Sequence, residues 1–322
     1  MSLGIVIVNY RTPQLTLDCL TSVAAQINDV PETRVALVDN ASGDSSVSFL
    51  RDAIARYGWN WIKLVTSPVN RGFAGGTNLG LEALKQIQPQ SQFILLLNSD
   101  AMLKPNVLRY VVEQMQADPT VGVMSCMLLN SDHSVQNTAR RFPTPARLAA
   151  YSLGLPWHFP RAFAWADLDE PGWDRRTLAR DVDWVGGAFM LIRRQTLDGL
   201  GPLDERFFFY GEDAEFCHRA WKHGWRVRYD PGAAAVHLGS ASSDPTRLAA
   251  RHRNAFSWQA RYQLQRRCYG RLAEMFIRAV DIASFGLRYL KLRLSGRQDS
   301  PECAAQRDIL TLLLRWPAAQ RR

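Results

Sequence analysis

The sequence predicts an α/β fold: a mostly parallel mixed sheet flanked by helices, followed by a helical C-terminal extension. Two observations carry this. Short β-rich apolar runs alternate with helix-length segments over the first 120 residues or so, which is the pattern of βαβ units and of strands buried on both faces. From Arg247 onward the pattern changes to Arg-rich segments of helical spacing.

Element by element, GIVIV opens the chain as a strand and is followed by a helix from about Pro13 to Gln26. RVALVDN is the second strand, with a helix from about Ser45 to Tyr57, and WIKLVTS the third, with a Gly-rich turn and a helix running through Lys85. FILLLNSD is the fourth, with a helix over 105–117. Then comes RRFPTPARLAAYSLGLPWHFPRAFAWADLDEPGW, inside a Pro- and Trp-rich stretch over 130–183 that is too long for an ordinary connection and predicts a flap or insert. DWVGGAFMLIRR resumes a strand, and Gly186 and Gly187 in it suggest a close backbone approach. FFFYGEDAEFCHRAWKHGWRV then leads from aromatics into a helix, and WRVRYDPGAAAVHLGSAS closes the core. The division expected is a catalytic-type domain over 1–246 and a basic helical region over 247–322.

Composition narrows the function classes. The 322 residues are 47% hydrophobic and 21% charged, which suits a large globular core and neither a disordered chain nor a disulfide scaffold. Five cysteines, Cys19, Cys126, Cys217, Cys268 and Cys303, form no CxxC-type pair, so unpaired thiols in a reducing, cytoplasmic setting are expected. The opening MSLGIVIVNYRTP has no basic leader, and its apolar run ends at Asn9, so it reads as a buried strand and not a targeting segment. The net charge of +9 is uneven: residues 247–322 carry sixteen Lys plus Arg against five Asp plus Glu, or +11, which leaves 9 − 11 = −2 for the rest. No helix-turn-helix, zinc or RNP-type signature accompanies this basicity, so an anionic membrane surface at the inner face of the cell membrane is expected and nucleic acid is not.

The chemistry-bearing residues stand at strand ends, where α/β sheets bind ligands. Asp100, directly after FILLLNS, can hold a divalent metal by oxygen ligation or merely make an Asx-turn. Asp39 in VDNAS can meet a base or ribose, or cap the next helix. NRGFAGGTN, residues 70–78, offers backbone N–H groups to an anion at a helix start, through Gly72, Gly75 and Gly76, yet it matches neither GxxxxGK[ST] nor GxGxxG. Glu212 and Asp213 are either helix-capping acids or a catalytic carboxylate beside the aromatics Phe207 to Tyr210, which serve equally well as core or as a sugar platform. His237 alone reads as a satisfied buried histidine.

Taken in order, VNY, VDNAS, NRGFAGGTN, LLLNSD, GGAFMLIRR, FYGEDAEFCHR and VHLGSAS make the chain, from about residue 3 to residue 243, resemble the family 2 glycosyltransferases, in particular bacterial rhamnosyltransferase-like members acting on cell-surface glycans. The resemblance implies a GT-A fold, a nucleotide-sugar donor with dTDP or UDP, a divalent Mn²⁺ or Mg²⁺, and inverting transfer to a glycan or lipid-linked acceptor. It places Asn9, Asp39 and Asn70 along the nucleoside and Gly72, Gly75 and Asn78 near the donor. It makes Asp100 the metal-binding acid of a DxD-type motif written here NSD, His237 a further metal or diphosphate ligand, Asp213 the general base, and Glu212 its orienting neighbour.

Two rivals stand against this. A sugar-nucleotide nucleotidyltransferase shares the sheet and metal but begins with a Gly-rich basic loop, which VNYRTPQ lacks. A glycan- or membrane-binding protein with an inactive core would not need Asp100, Asp213 and His237. In the tail, Leu272, Phe276, Ala279, Ala283, Gly286 and Leu290 alternate with Arg271, Glu274, Arg278, Asp281 and Arg288 at helical spacing, so the apolar stripe either packs against protein or lies on an anionic leaflet.

Overall fold

The computed structural model describes residues 2–169, 172–239 and 247–315. Its elements run β1 (Ser2–Asn9), α1 (Pro13–Ala24), β2 (Glu32–Asp39), α2 (Ser46–Arg56), β3 (Ile62–Thr66), α3 (Gly72–Ile87), β4 (Phe93–Asn98), β5 (Ala101–Leu103), α4 (Val107–Ala117), β6 (Val121–Leu129) and β7 (Ala139–Arg140). They continue with α5 (Pro145–Ser152), α6 (Leu155–His158), β8 (Arg180–Asp181), β9 (Trp184–Val185), β10 (Phe189–Arg193), α7 (Arg194–Leu200), α8 (Glu212–Lys222), β11 (Arg226–His237), α9 (Arg247–Tyr269), α10 (Arg271–Leu294) and α11 (Pro301–Arg315). The chain divides into two compact units, Met1–Phe142 with Gly172–Arg251, and Pro143–Pro171 with His252–Arg322. The long Pro- and Trp-rich stretch thus supplies residues to both.

In the first unit the sheet order is β3-β2-β1-β4-β10-β6-β11-β5, with β8 on β11. The half built from β1 to β4 is parallel, and β10 enters antiparallel between β4 and β6, which makes the sheet mixed. Period-two alternation explains why these strands read as continuous apolar runs. Leu3, Ile5 and Ile7 of β1 point to one face and pack with Cys19, Leu20 and Val23 of α1, while Val6 points to the other and packs with Leu81 and Leu84 of α3. One strand went unread in the sequence: VGVMSCMLL is β6, buried almost throughout.

β11 carries the most consequential irregularity. Its parallel register with β6 slips between Asp230 and Ala234, at the bulge made by Pro231 and Gly232. The far half of the strand then pairs antiparallel with β5, setting His237 opposite Ala101 and so beside Asp100.

The second unit is helical. Its core is Leu148 of α5, Tyr262 of α9, Ile277 of α10 and Leu313 of α11. Asp281, which the helical spacing sets among the polar residues of α10, is fully buried. It accepts hydrogen bonds from Ser152 Oγ, Tyr262 OH (2.8 Å) and the Arg261 guanidinium (3.0 Å), so the charge is compensated inside the unit. The apolar stripe at Leu272, Phe276 and Leu290 faces outward.

Candidate active site

The carboxyl ends of β1, β2, β4 and β11 gather the polar residues. Asn98 ends β4, Asp100 follows it in the turn into β5, and His237 ends β11. Asp100 Oδ1 lies 3.3 Å from His237 Nε2, and Asn98 Nδ2 lies 3.2 Å from the same nitrogen. Gln136 decides what that nitrogen carries. Its Nε2 donates to the His237 carbonyl oxygen (2.6 Å) and to Asn130 Oδ1 (2.7 Å), which leaves its Oε1, 2.8 Å from His237 Nδ1, as the acceptor of the Nδ1 proton. Nε2 therefore presents a lone pair, to which Asn98 donates, and it faces a carboxylate oxygen. An imidazole lone pair and a carboxylate side by side suit a divalent cation. Among the described residues no three His, Cys, Asp or Glu side chains cluster as a complete metal cage. The set fits a cation that takes its remaining oxygens from a diphosphate and water, as Mg²⁺-type sites do. Of VHLGSAS, residues 240–242 lie outside the described residues.

The acidic pair sits at the start of α8. Tyr210 and Gly211 both take left-handed backbone, with φ of 69° and 93°, and turn the aromatic loop sharply into the helix. Asp213 Oδ1 accepts from Ala214 N (2.7 Å) and Oδ2 from Gly187 N (3.0 Å), so two main-chain groups fix the carboxylate while the side chain stays partly exposed. Burial pushes its proton affinity up, against the opposing pull of those two N–H groups and of Arg140. Glu212 is buried, and its Oε2 has no hydrogen-bond partner among the described residues. Burial first, and the neighbouring Asp213 charge second, push its carboxyl well above the ordinary range. A fixed, accessible carboxylate of raised basicity is what a general base requires.

The nucleoside-side residues form two hydrogen-bonded knots. Asn9 is fully buried and donates to Asp39 Oδ2 (2.8 Å) and Ser42 Oγ (3.1 Å), and its own oxygen accepts from Thr16 (2.8 Å). Asp39 also accepts from Ser42 Oγ (2.6 Å) and Ser42 N (3.1 Å). Asn70 Oδ1 accepts from Gly72 N (2.8 Å) and Asn40 Nδ2 (3.1 Å).

NRGFAGGTN departs from the expected turn: α3 begins at Gly72, so Gly75 and Gly76 lie inside its first turns. Gly72 has φ of 69°, and a Cβ there would stand 2.1 Å from the Phe208 carbonyl oxygen. Phe73 N donates to that same oxygen (2.8 Å). Asn78 is engaged by Leu203 N (3.0 Å), Leu203 O (2.9 Å) and Glu205 Oε1 (3.0 Å), and Gly75 faces Arg71 and Glu205. The Gly-rich segment thus braces the loop that leads to the acidic pair. Of the four aromatics, Phe207 is core, whereas Phe208 and Tyr210 are exposed.

The sequence profile of glycosyltransferase-like family 2 matches residues 2–261. The chain belongs to that family. It is 27% identical over 240 residues to the N-acetylglucosaminyl-diphospho-decaprenol L-rhamnosyltransferase of Mycobacterium tuberculosis, covering 70% of this chain and 74% of the relative. A low-salt glycan biosynthesis hexosyltransferase of Haloferax volcanii is 27% identical over 263 residues, 81% of this chain and 74% of that one. A rhamnosyltransferase of Escherichia coli K12 is 25% identical over 171 residues, 52% and 60% of the two chains. Among solved structures, a mannosyltransferase from Pyrobaculum calidifontis in complex with GDP-Man and Mn²⁺ superposes with a TM-score of 0.59 at 17% identity, over 99% of this chain and 88% of that one. The fold is GT-A, and the protein is a glycosyltransferase.

In this family 2 glycosyltransferase, the residues that hold the candidate side chains in place are harder to read from the sequence than the candidates themselves. Gln136 and Arg140 stand in none of the strand-end motifs, whereas Asn40 and Ser42 lie in VDNAS beside Asp39. Gln136 is 101 positions from His237, and no local pattern in the sequence links them. At Gly187 the backbone does approach closely, since a Cβ there would meet the Phe73 ring at 3.2 Å.

Proposed function

We propose that this glycosyltransferase moves a sugar, with inversion, from a nucleoside-diphosphate donor to a hydroxyl of a glycan or lipid-linked acceptor at a membrane surface. The core over 1–246 is assigned the chemistry. Rhamnose carried by dTDP is the first choice of donor, by similarity to relatives named rhamnosyltransferases, with UDP-sugars second. The observations that support the reading are the Asp213 carboxylate fixed by Gly187 N and the Asp100–His237 pair at the ends of β4 and β11.

In the transfer, Asp213 accepts the proton of the acceptor hydroxyl as that oxygen bonds to the sugar's anomeric carbon. The bond from that carbon to the diphosphate breaks, and its electron pair leaves with the nucleoside diphosphate. Gly187 and Ala214 hold the carboxylate in place throughout. Asp100 and His237 would hold a divalent Mn²⁺ or Mg²⁺, which supplies charge stabilisation to the departing diphosphate. Asn9 and Ser42 keep Asp39 oriented toward the nucleoside, and Asn70 with Asn40 shapes the Gly72 loop. Glu212, uncharged when protonated, adds no second negative charge beside the base.

Calorimetric titration with a panel of nucleoside diphosphates, with and without Mn²⁺ or Mg²⁺, tests this. Metal-enhanced binding that weakens in Asp100→Ala, and less so in His237→Ala, supports it. Donor affinity indifferent to EDTA would overturn it.

A further inference from the structure

The second unit displays an apolar face that its own core does not use. On α10, Ile277, Asp281 and Ser284 are buried, whereas Leu272, Met275, Phe276, Leu287, Leu290 and Leu294 are exposed, Leu272 at 82% and Leu294 at 79%. At about 3.6 residues per turn these six, with Ala279 and Ala283 between them, form one stripe along the whole helix on the side away from Asp281. No charged residue interrupts it. Exposed Arg271, Lys291 and Arg293 border it.

A second exposed group comes from another part of the same unit. Tyr151, Trp157, Phe159 and Trp165 are exposed, with Trp157 at 61% and its ring 4.5 Å from that of Tyr151. This segment meets α10 on the side opposite the stripe: Ser284 Oγ (2.6 Å) and Arg288 (2.8 Å) both donate to the Ser152 carbonyl oxygen, and Ser152 Oγ donates to Asp281, so the stripe stands as a separate surface. Among the described residues no helix is long and apolar enough to cross a membrane. An exposed apolar helix face with cationic borders has the composition of an interfacial element and not of a spanning one.

We infer that the outward face of α10 docks the protein on an anionic lipid bilayer. Charge selects this occupant over a second copy. α10 carries five Lys plus Arg against Glu274 and the buried Asp281, and residues 247–322 carry +11. Antiparallel self-pairing would lay the Arg271 end of one helix against the Lys291–Arg293 end of the other, and parallel pairing would stack like ends. Either arrangement opposes cation to cation, whereas anionic headgroups neutralise both ends. The inference deepens the reading of a lipid-linked acceptor and rests on it for its purpose.

The test is co-sedimentation of the full chain, without donor or acceptor, on phosphatidylcholine vesicles and on the same vesicles containing phosphatidylglycerol, at low and high salt. The wild-type protein pellets with the anionic vesicles at low salt and is released by salt. The double variant Leu272→Glu with Leu294→Glu loses about tenfold or more of that binding. Both sites are exposed, so melting temperatures should stay at the wild-type value. Wild-type protein left in the supernatant overturns the docking surface, as does a Glu pair that binds undiminished. Light scattering that shows a dimer which the Glu pair splits, without vesicle binding, assigns the face to a second copy. None of these outcomes touches the sugar-transfer reading, which stands or falls on donor titration.

Discussion

Gln136 Oε1 stands 2.8 Å from His237 Nδ1 and receives its proton, which leaves Nε2 to face Asp100 across 3.3 Å. The tautomer of a histidine at a cation site is set by the partner of its other nitrogen, and losing that partner typically weakens metal binding by about 10- to 100-fold. Gln136→Met keeps the volume but removes both the acceptor and the donors, so Mn²⁺ affinity should fall within that range. Gln136→Glu keeps the acceptor and should recover part of the loss. Nitrogen-15 NMR of the imidazole reports the tautomer directly, without turnover. A His237 that keeps its Nδ1 proton in Gln136→Met would remove Gln136 from this role.

Asp213 offers the sharpest kinetic test. Asp213→Asn keeps the side-chain shape but cannot take a proton, and general-base removal ordinarily costs about 10²- to 10⁴-fold. We expect that loss in kcat with nucleotide affinity nearly unchanged, because the base acts on the acceptor. Since burial raises the Asp213 proton affinity, the wild-type rate should fall as pH drops through a value above the usual aspartate range. Near-normal turnover in the variant would end the assignment.

Much of this was legible because apolar strands buried on both faces announce themselves, and because a carboxylate after such a strand, as at Asp100, is conspicuous. Less legible was anything that depended on which of two faces a helix buries. The sequence of α10 shows an apolar stripe and a polar one, and the usual rule buries the apolar one. The fold buries Ile277, Asp281 and Ser284 instead, because Arg261, Tyr262 and Ser152 compensate the Asp281 charge from 20, 19 and 129 positions away. NRGFAGGTN likewise reads as a Gly-rich turn opening into a helix, yet the helix already begins at Gly72, where packing against the sheet and the Phe208 loop overrides the low helix propensity of glycine.

Gly72 should tolerate no side chain. Its φ of 69° disfavours any L-residue, and the Phe208 carbonyl oxygen occupies the place of a Cβ. Gly72→Ala is therefore expected to lose at least about 2 kcal/mol of stability in urea titration, from strain and displacement together. Because Phe73 N holds that same oxygen, the shift should reach the loop before Asp213 and lower kcat as well. An unchanged urea midpoint would show that the loop yields freely.

Glu212 gives a prediction about stability and pH whose sign is fixed by its burial. Its carboxyl is held well above the ordinary 4.5 in the folded chain, first by burial and then by Asp213, and relaxes to the ordinary value on unfolding. Below about 4.5 the group is protonated in both states and costs nothing. As pH rises above that value the unfolded chain releases the proton more readily than the folded one, so stability falls progressively until the folded group itself ionises. Glu212→Gln removes the titration, so thermal melts should show the variant gaining on the wild-type protein as pH rises above the ordinary carboxyl value. The gain should shrink toward zero near the ordinary carboxyl value. A variant that loses ground as pH rises would mean that Glu212 is ionised and compensated in the fold, and that it acts as a second carboxylate beside Asp213.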